Sequence, residues 1–129
     1  MAKRQTPRPT DAELAILQVL WTAGPSTVRE VHESLSRRRG IGYTTVLKLL
    51  QIMTEKGLVE RDESQRSHVY RPRFSAQRTQ RQLVRHLLER AFGGSAEKLI
   101  MQALSSSKPT AAELKAIREL LDNLEGPKP

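Results

Sequence analysis

Thr44, Thr45 and Lys48 are the residues of this 129-residue chain whose types and spacing point most directly to chemistry. A threonine can hydrogen-bond a base edge or pack its methyl on thymine, and a lysine can reach guanine or a phosphate. At about 100° per residue, Val46, Leu49, Leu50 and Met53 fall on one face of a helix, with Thr44, Lys48, Gln51 and Glu55 on the opposite face. One face packs and the other is free to enter a groove. Thr44, Thr45 and Lys48 then sit at the N-terminal end, where a recognition helix usually meets base edges and where the helix terminus itself favours a phosphate. The run Arg37, Arg38, Arg39 reads as a basic connector that could clamp phosphates. Arg66, at the tip of a predicted hairpin, could do so in a flanking minor groove. Any amphipathic surface helix has a polar stripe, and exposed arginines also serve solubility alone. The position of this helix, third and directly before a hairpin, favours recognition.

Other chemistry has little to stand on. His32, His68 and His86 are spread over separate elements, with no glutamate at zinc-binding helix spacing and no glycine-rich phosphate loop. The chain has no cysteine, which excludes disulfides, thiolate metal sites and cysteine nucleophiles and is compatible with a reducing cytoplasm. No enzyme, metal or cofactor is expected. Trp21 and Tyr70 are candidate stacking surfaces for unpaired bases, although Trp21 lies in the apolar phase of its helix and reads as core.

The elements that must position these residues announce themselves through their caps. Thr10 with Glu13, Thr27 with Glu30 and Thr110 with Glu113 each have capping-box spacing ahead of an apolar helical pattern. Helices are expected over 11–22, 28–36 and 44–56, the last ending at Gly57 as a left-handed cap. A two-stranded hairpin follows over 58–61 and 67–73, with Pro72 confined to an edge or an end. Further helices are predicted over 76–92, 96–104 and 111–124, with residues 105–107 as a linker. Leu114, Ile117, Leu121 and Leu124 repeat at helix-seam spacing. The expected fold is mainly α with a small β-hairpin wing. Residues 1–9 form a basic arm, 10–74 a winged helix-turn-helix, 75–125 a helical dimerisation domain and 126–129 a tail.

Charge follows the same division. The net charge is +8 and the pI near 10.4. Residues 1–82 carry +7 and the remainder +1, which suggests a polyanion-binding part and an assembly part. No window has the apolar length of a membrane span and no secretory signal is evident, so a soluble cytoplasmic protein is expected. A rival reading from the same charge is a sequence-indifferent basic protein that coats DNA, RNA or an anionic membrane.

The segments Thr10 to Leu14 with Leu20-Trp21, Pro25 to Val31, Tyr43 to Val46, Lys56 to Val59, His68 to Pro72 and Phe92 to Gly94 resemble, in order and interval, the BlaI/MecI/CopY family of penicillinase-repressor-type bacterial transcription regulators. The resemblance covers about 10–124. It implies a homodimeric repressor whose winged helices bind a pseudo-palindromic operator and block transcription. Tyr43, Thr44, Thr45 and Lys48 would then lie in or beside the major groove, joined as DNA-binding candidates by Gln51 from the wheel, and the hairpin around Arg66 would be the wing. It also implies that C-terminal helices hold the dimer, for which Leu83, Leu87, Phe92 and Leu99, with the seam residues Leu114, Ile117, Leu121 and Leu124, are the candidates. In beta-lactam-resistance members a membrane metalloprotease sensor triggers cleavage at an Asn-Phe bond in the fifth helix. The matching place here is Met101-Gln102-Ala103-Leu104. The cysteine cluster of the copper-responsive branch has no counterpart.

Overall fold

The computed structural model describes residues 7–127, apart from the side chain of Arg39. Lys3, Arg4 and the last two residues of the expected tail lie outside them, while Pro9, at the end of the expected arm, is buried. The order is α1 (Asp11–Ala23), β1 (Ser26–Thr27), α2 (Val28–Arg39), α3 (Tyr43–Lys56), β2 (Val59–Asp62), β3 (Val69–Pro72), α4 (Ala76–Ala91), α5 (Ala96–Ser106) and α6 (Ala111–Glu125). The chain divides into two units, meeting at Val84 and Arg85.

All three capping boxes form. Thr10, Thr27 and Thr110 each accept from the backbone N–H of the glutamate three residues on, and that glutamate accepts in return from the cap's own N–H. Each box satisfies two donors that the start of a helix leaves without an intrahelical partner.

The first unit has one core. Ile16, Leu17 and Leu20 of α1 meet Val28, Val31 and Leu35 of α2 and Val46, Leu50 and Met53 of α3, with Leu58, Val59 and Tyr70 closing the cluster from the wing. Trp21 packs against this cluster, and its indole N–H donates to the carbonyl of Phe74 at 3.0 Å. Tyr70 is only 1% exposed, so the expectation of a base-stacking role for it is overturned: it is a core residue.

The sheet is larger than the expected hairpin. It has three antiparallel strands in the order β1-β3-β2, with Ser26 and Thr27 opposite Tyr70 and Val69, and Val59 opposite Pro72. A two-residue strand has no period to detect, which is why it escapes a reading based on alternation. Pro72 ends β3 at a level where only β2 runs beside it, so its missing N–H costs the sheet nothing on the β1 side.

Two helices outrun their predicted ends. Arg37, Arg38 and Arg39 are the last turn of α2 rather than a connector, and the helix stops at Gly40 with φ +62°. Arginine is a good helix former, so loss of the apolar pattern at Ser36 did not end the helix. Ser105 and Ser106 likewise belong to α5, their hydroxyls donating to the carbonyls of Met101 and Gln102, both at 2.7 Å.

In the second unit, α5 and α6 bury no residue at all. Leu99, Leu114 and Ile117 are half-buried, while Ile100, Met101, Leu104, Leu120, Leu121 and Leu124 are exposed.

Candidate nucleic-acid interface

α3 presents the two faces that its sequence implied. Val46, Leu50 and Met53 are fully buried and Leu49 packs partly against the same core, whereas Thr44, Thr45, Lys48, Gln51 and Glu55 are exposed. Buried apolar side chains fix the helix by its inner face, which leaves the outer one rigid and available.

Its N-terminus differs from those of α1, α2 and α6. Gly42 is the cap residue and offers no side-chain hydrogen bond, and no acidic residue stands in the first turn. The backbone donors there are uncapped, and the positive end of the helix dipole is not offset by a carboxylate. Tyr43 opens the helix, about half exposed at 49%. Its ring meets that of His32 from α2 edge-on, with centroids 5.8 Å apart and planes at 80°. This contact is missed from the sequence, where His32 is only one of three scattered histidines. Its place four residues after Val28 and three before Leu35, on the inward phase of α2, was the available signal.

Arg37 and Arg38 are exposed at the end of α2, one short turn before Tyr43, and neither has an ion pair among the described residues. The side chain of Arg39 lies outside the described residues. In the wing, Arg66 is exposed on the tip between β2 and β3, also with no ion pair among the described residues. The tip is shaped by Asp62, which accepts from the Ser64 N–H at 2.9 Å; that bond holds the Asp62 carboxyl below its usual range. The wing's other carboxylates are tied to neighbouring arginines, Glu63 to Arg61 at 2.6 Å and Glu60 to Arg71 at 3.6 Å.

The first unit therefore brings together an uncapped helix end carrying Tyr43, Thr44, Thr45 and Lys48, a basic helix end carrying Arg37 and Arg38, and a separate basic tip carrying Arg66. Such an arrangement can offer hydrogen-bond donors to base edges and cations to phosphates. The dimerisation candidates and the segment Met101-Gln102-Ala103, all three exposed on α5, lie outside this constellation.

Sequence and fold comparisons agree with the geometry. A stretch of 63 residues is 46% identical to the transcriptional regulator BlaI of Mycobacterium tuberculosis, covering 48% of this chain and 46% of that one. The match thus spans about half the length of that relative. Over 119 residues the chain is 21% identical to the penicillinase repressor of Bacillus licheniformis, covering 92% of this chain and 93% of that one. The solution structure of the Bacillus licheniformis BlaI monomeric form in complex with the blaP half-operator is similar at a TM-score of 0.50 and 26% identity, over 57% of this chain and 89% of that one. Residues 9–123 match the family described as penicillinase repressor, and since this is nearly the whole chain, the protein belongs to that family.

Proposed function

We propose that the protein is a DNA-binding transcriptional repressor that reads a pseudo-palindromic operator as a homodimer. The observation that carries this reading is the outer face of α3: Thr44, Thr45, Lys48 and Gln51 exposed on a helix whose inner face is locked into the core. A relative solved on a half-operator supports duplex DNA as the ligand. In this reading residues 10–74 bind DNA and residues 75–125 join two chains. Arg37, Arg38, Arg39 and Arg66 meet phosphates, and Tyr43 lies beside the groove.

Dimerisation is supported by α6, where Leu121 and Leu124 are 47% and 74% exposed in a single chain, in line with the half-buried Leu114 and Ile117. The rest of the joint would come from Leu83, Leu87, Phe92 and Leu99. Apolar surface of this kind gains about 25 cal/mol per Å² when a second chain covers it. Two weak half-site contacts then become one tight event, because the second occurs at high effective concentration. A cut at Met101, Gln102 or Ala103 would detach α6 and with it this seam, so proteolysis by a membrane metalloprotease sensor is a route to release.

Selection of random duplexes on the purified protein tests the reading. Enrichment of a two-fold-related sequence is the expected result. No enrichment would favour a basic protein that coats nucleic acid without regard to sequence.

A further inference from the structure

From Arg66 to Leu88 the sequence contains six arginines and no acidic residue. Three of them are gathered at the junction of β3 and α4, inside the first unit. Arg73 lies with its guanidinium carbon 5.6 Å from the centre of the Phe74 ring, and Arg78 with its own at 4.6 Å. Arg81 follows Arg78 by three residues, on the same side of α4. All three are exposed, and none has an ion pair among the described residues; the carboxylates Glu13, Glu60 and Glu63 are paired to Lys56, Arg71 and Arg61 instead.

The main chain that carries Arg73 and Arg78 is held in place. The backbone N–H of Arg73 donates to the carbonyl of Leu58 at 3.0 Å, and that of Arg78 to the hydroxyl of Ser75 at 3.1 Å. The Phe74 carbonyl is tied to the Trp21 indole. A guanidinium over a ring keeps its donors free at its edges while losing part of its freedom, which lowers the ordering cost of binding a phosphate. Arg73 also packs beside Gly57, the C-terminal cap of α3, and so stands at the far end of that helix from Tyr43.

We propose that Arg73, Arg78 and Arg81 form a second phosphate-binding surface for duplex DNA, apart from the reading end of α3. The inference rests on the DNA-binding reading above. Duplex DNA suits the row because its phosphates recur along a strand, and Arg forks bind phosphate oxygens in pairs. A membrane surface suits it less: Phe74, the aromatic that would anchor in lipid, has both guanidiniums over its ring and is half-buried.

The test is the salt dependence of binding by the full chain to operator and random duplexes. Replacing Arg73, Arg78 and Arg81 together by Gln should reduce the slope of log K against log salt by about 2 to 3, since each phosphate contact contributes about 0.9. The ratio of operator to random affinity should stay as in the wild type. The matching triple Lys variant should restore the slope. If the triple Gln variant does not fold, Arg81→Gln alone should lower the slope by about one. An unchanged slope in a folded variant would overturn the proposal. So would binding to vesicles of equimolar phosphatidylcholine and phosphatidylglycerol that the Gln variant loses while its duplex slope is intact. If the wild type shows no operator preference but the variant still flattens the slope on random DNA, the sequence-specific reading fails and this surface stands.

Discussion

The Lys56 ammonium stands 2.9 Å from Oε2 and 3.1 Å from Oε1 of Glu13, joining the last turn of α3 to the first turn of α1. Glu13 is 2% exposed and Lys56 38%, so the carboxylate is the buried partner. Burial alone would raise its pKa. The Thr10 backbone N–H, the Lys56 ammonium and the Thr10 hydroxyl outweigh that and hold it below its usual value of 4.5. A carboxyl depressed in the folded state contributes stability above its unfolded pKa, and that contribution is lost as pH falls through the folded value. Lys56→Ala should destabilise the first unit by about 1 to 3 kcal/mol, since it leaves a buried charge without its counter-ion. Urea unfolding as a function of pH should also show the acid limb of the variant moved to higher pH. An acid limb that coincides with the wild type would mean Lys56 does not set the Glu13 titration.

Combined Thr45→Ala and Lys48→Ala substitutions should lower the ratio of operator to random-duplex affinity, each lost base contact costing about 1 to 3 kcal/mol. Competition binding measures this ratio directly. Equal losses on both duplexes would assign these side chains to phosphates.

Arg37→Ala should weaken operator and random duplexes alike and lower the salt slope by about one unit. The same titrations with Arg38→Ala should behave in the same way, because both side chains are exposed in the same helical turn.

Leu121→Asp should convert a dimer to a monomer and abolish tight operator binding, while the helix content of the chain is retained. Sedimentation velocity checks the first point and circular dichroism the last. An intact dimer would place the joint elsewhere than α6.

Gly57→Ala should cost about 1 to 2 kcal/mol, because φ is +81° there and a left-handed backbone is strained for any residue with a Cβ. The added carbon would also meet Arg73 Nη1 at 3.0 Å. Thermal unfolding gives the cost; no change would mean the cap relaxes to another conformation.

Much of this architecture was legible wherever local chemistry is self-contained. A threonine and a glutamate three residues apart make a capping box without help from the rest of the chain, and all three boxes are present. The two faces of α3 follow from its period and are visible in Val46, Leu50 and Met53 against Thr44, Lys48 and Gln51. What escaped depends on contacts distant in sequence. β1 exists because Val69 and Tyr70 lie beside it, and Tyr70 is core because the sheet folds it under the helices. Glu13 reads as a cap alone, since its second partner is 43 positions away. In the sequence the arginines of the β3–α4 junction are only part of the +7 carried by residues 1–82, and Phe74 alone shows that Arg73 and Arg78 belong together.

The two-residue strand β1 has a mechanical meaning. Ser26 and Thr27 pair with the central strand of the wing, and Thr27 is also the residue that caps α2. The wing is therefore not a hinged arm but an outrigger lashed to the same frame as the helices. In the proposed repressor the span between the wing tip and Tyr43 would act as a built-in calliper, so that a half-site whose two contact points stood farther apart would have to bend to be gripped.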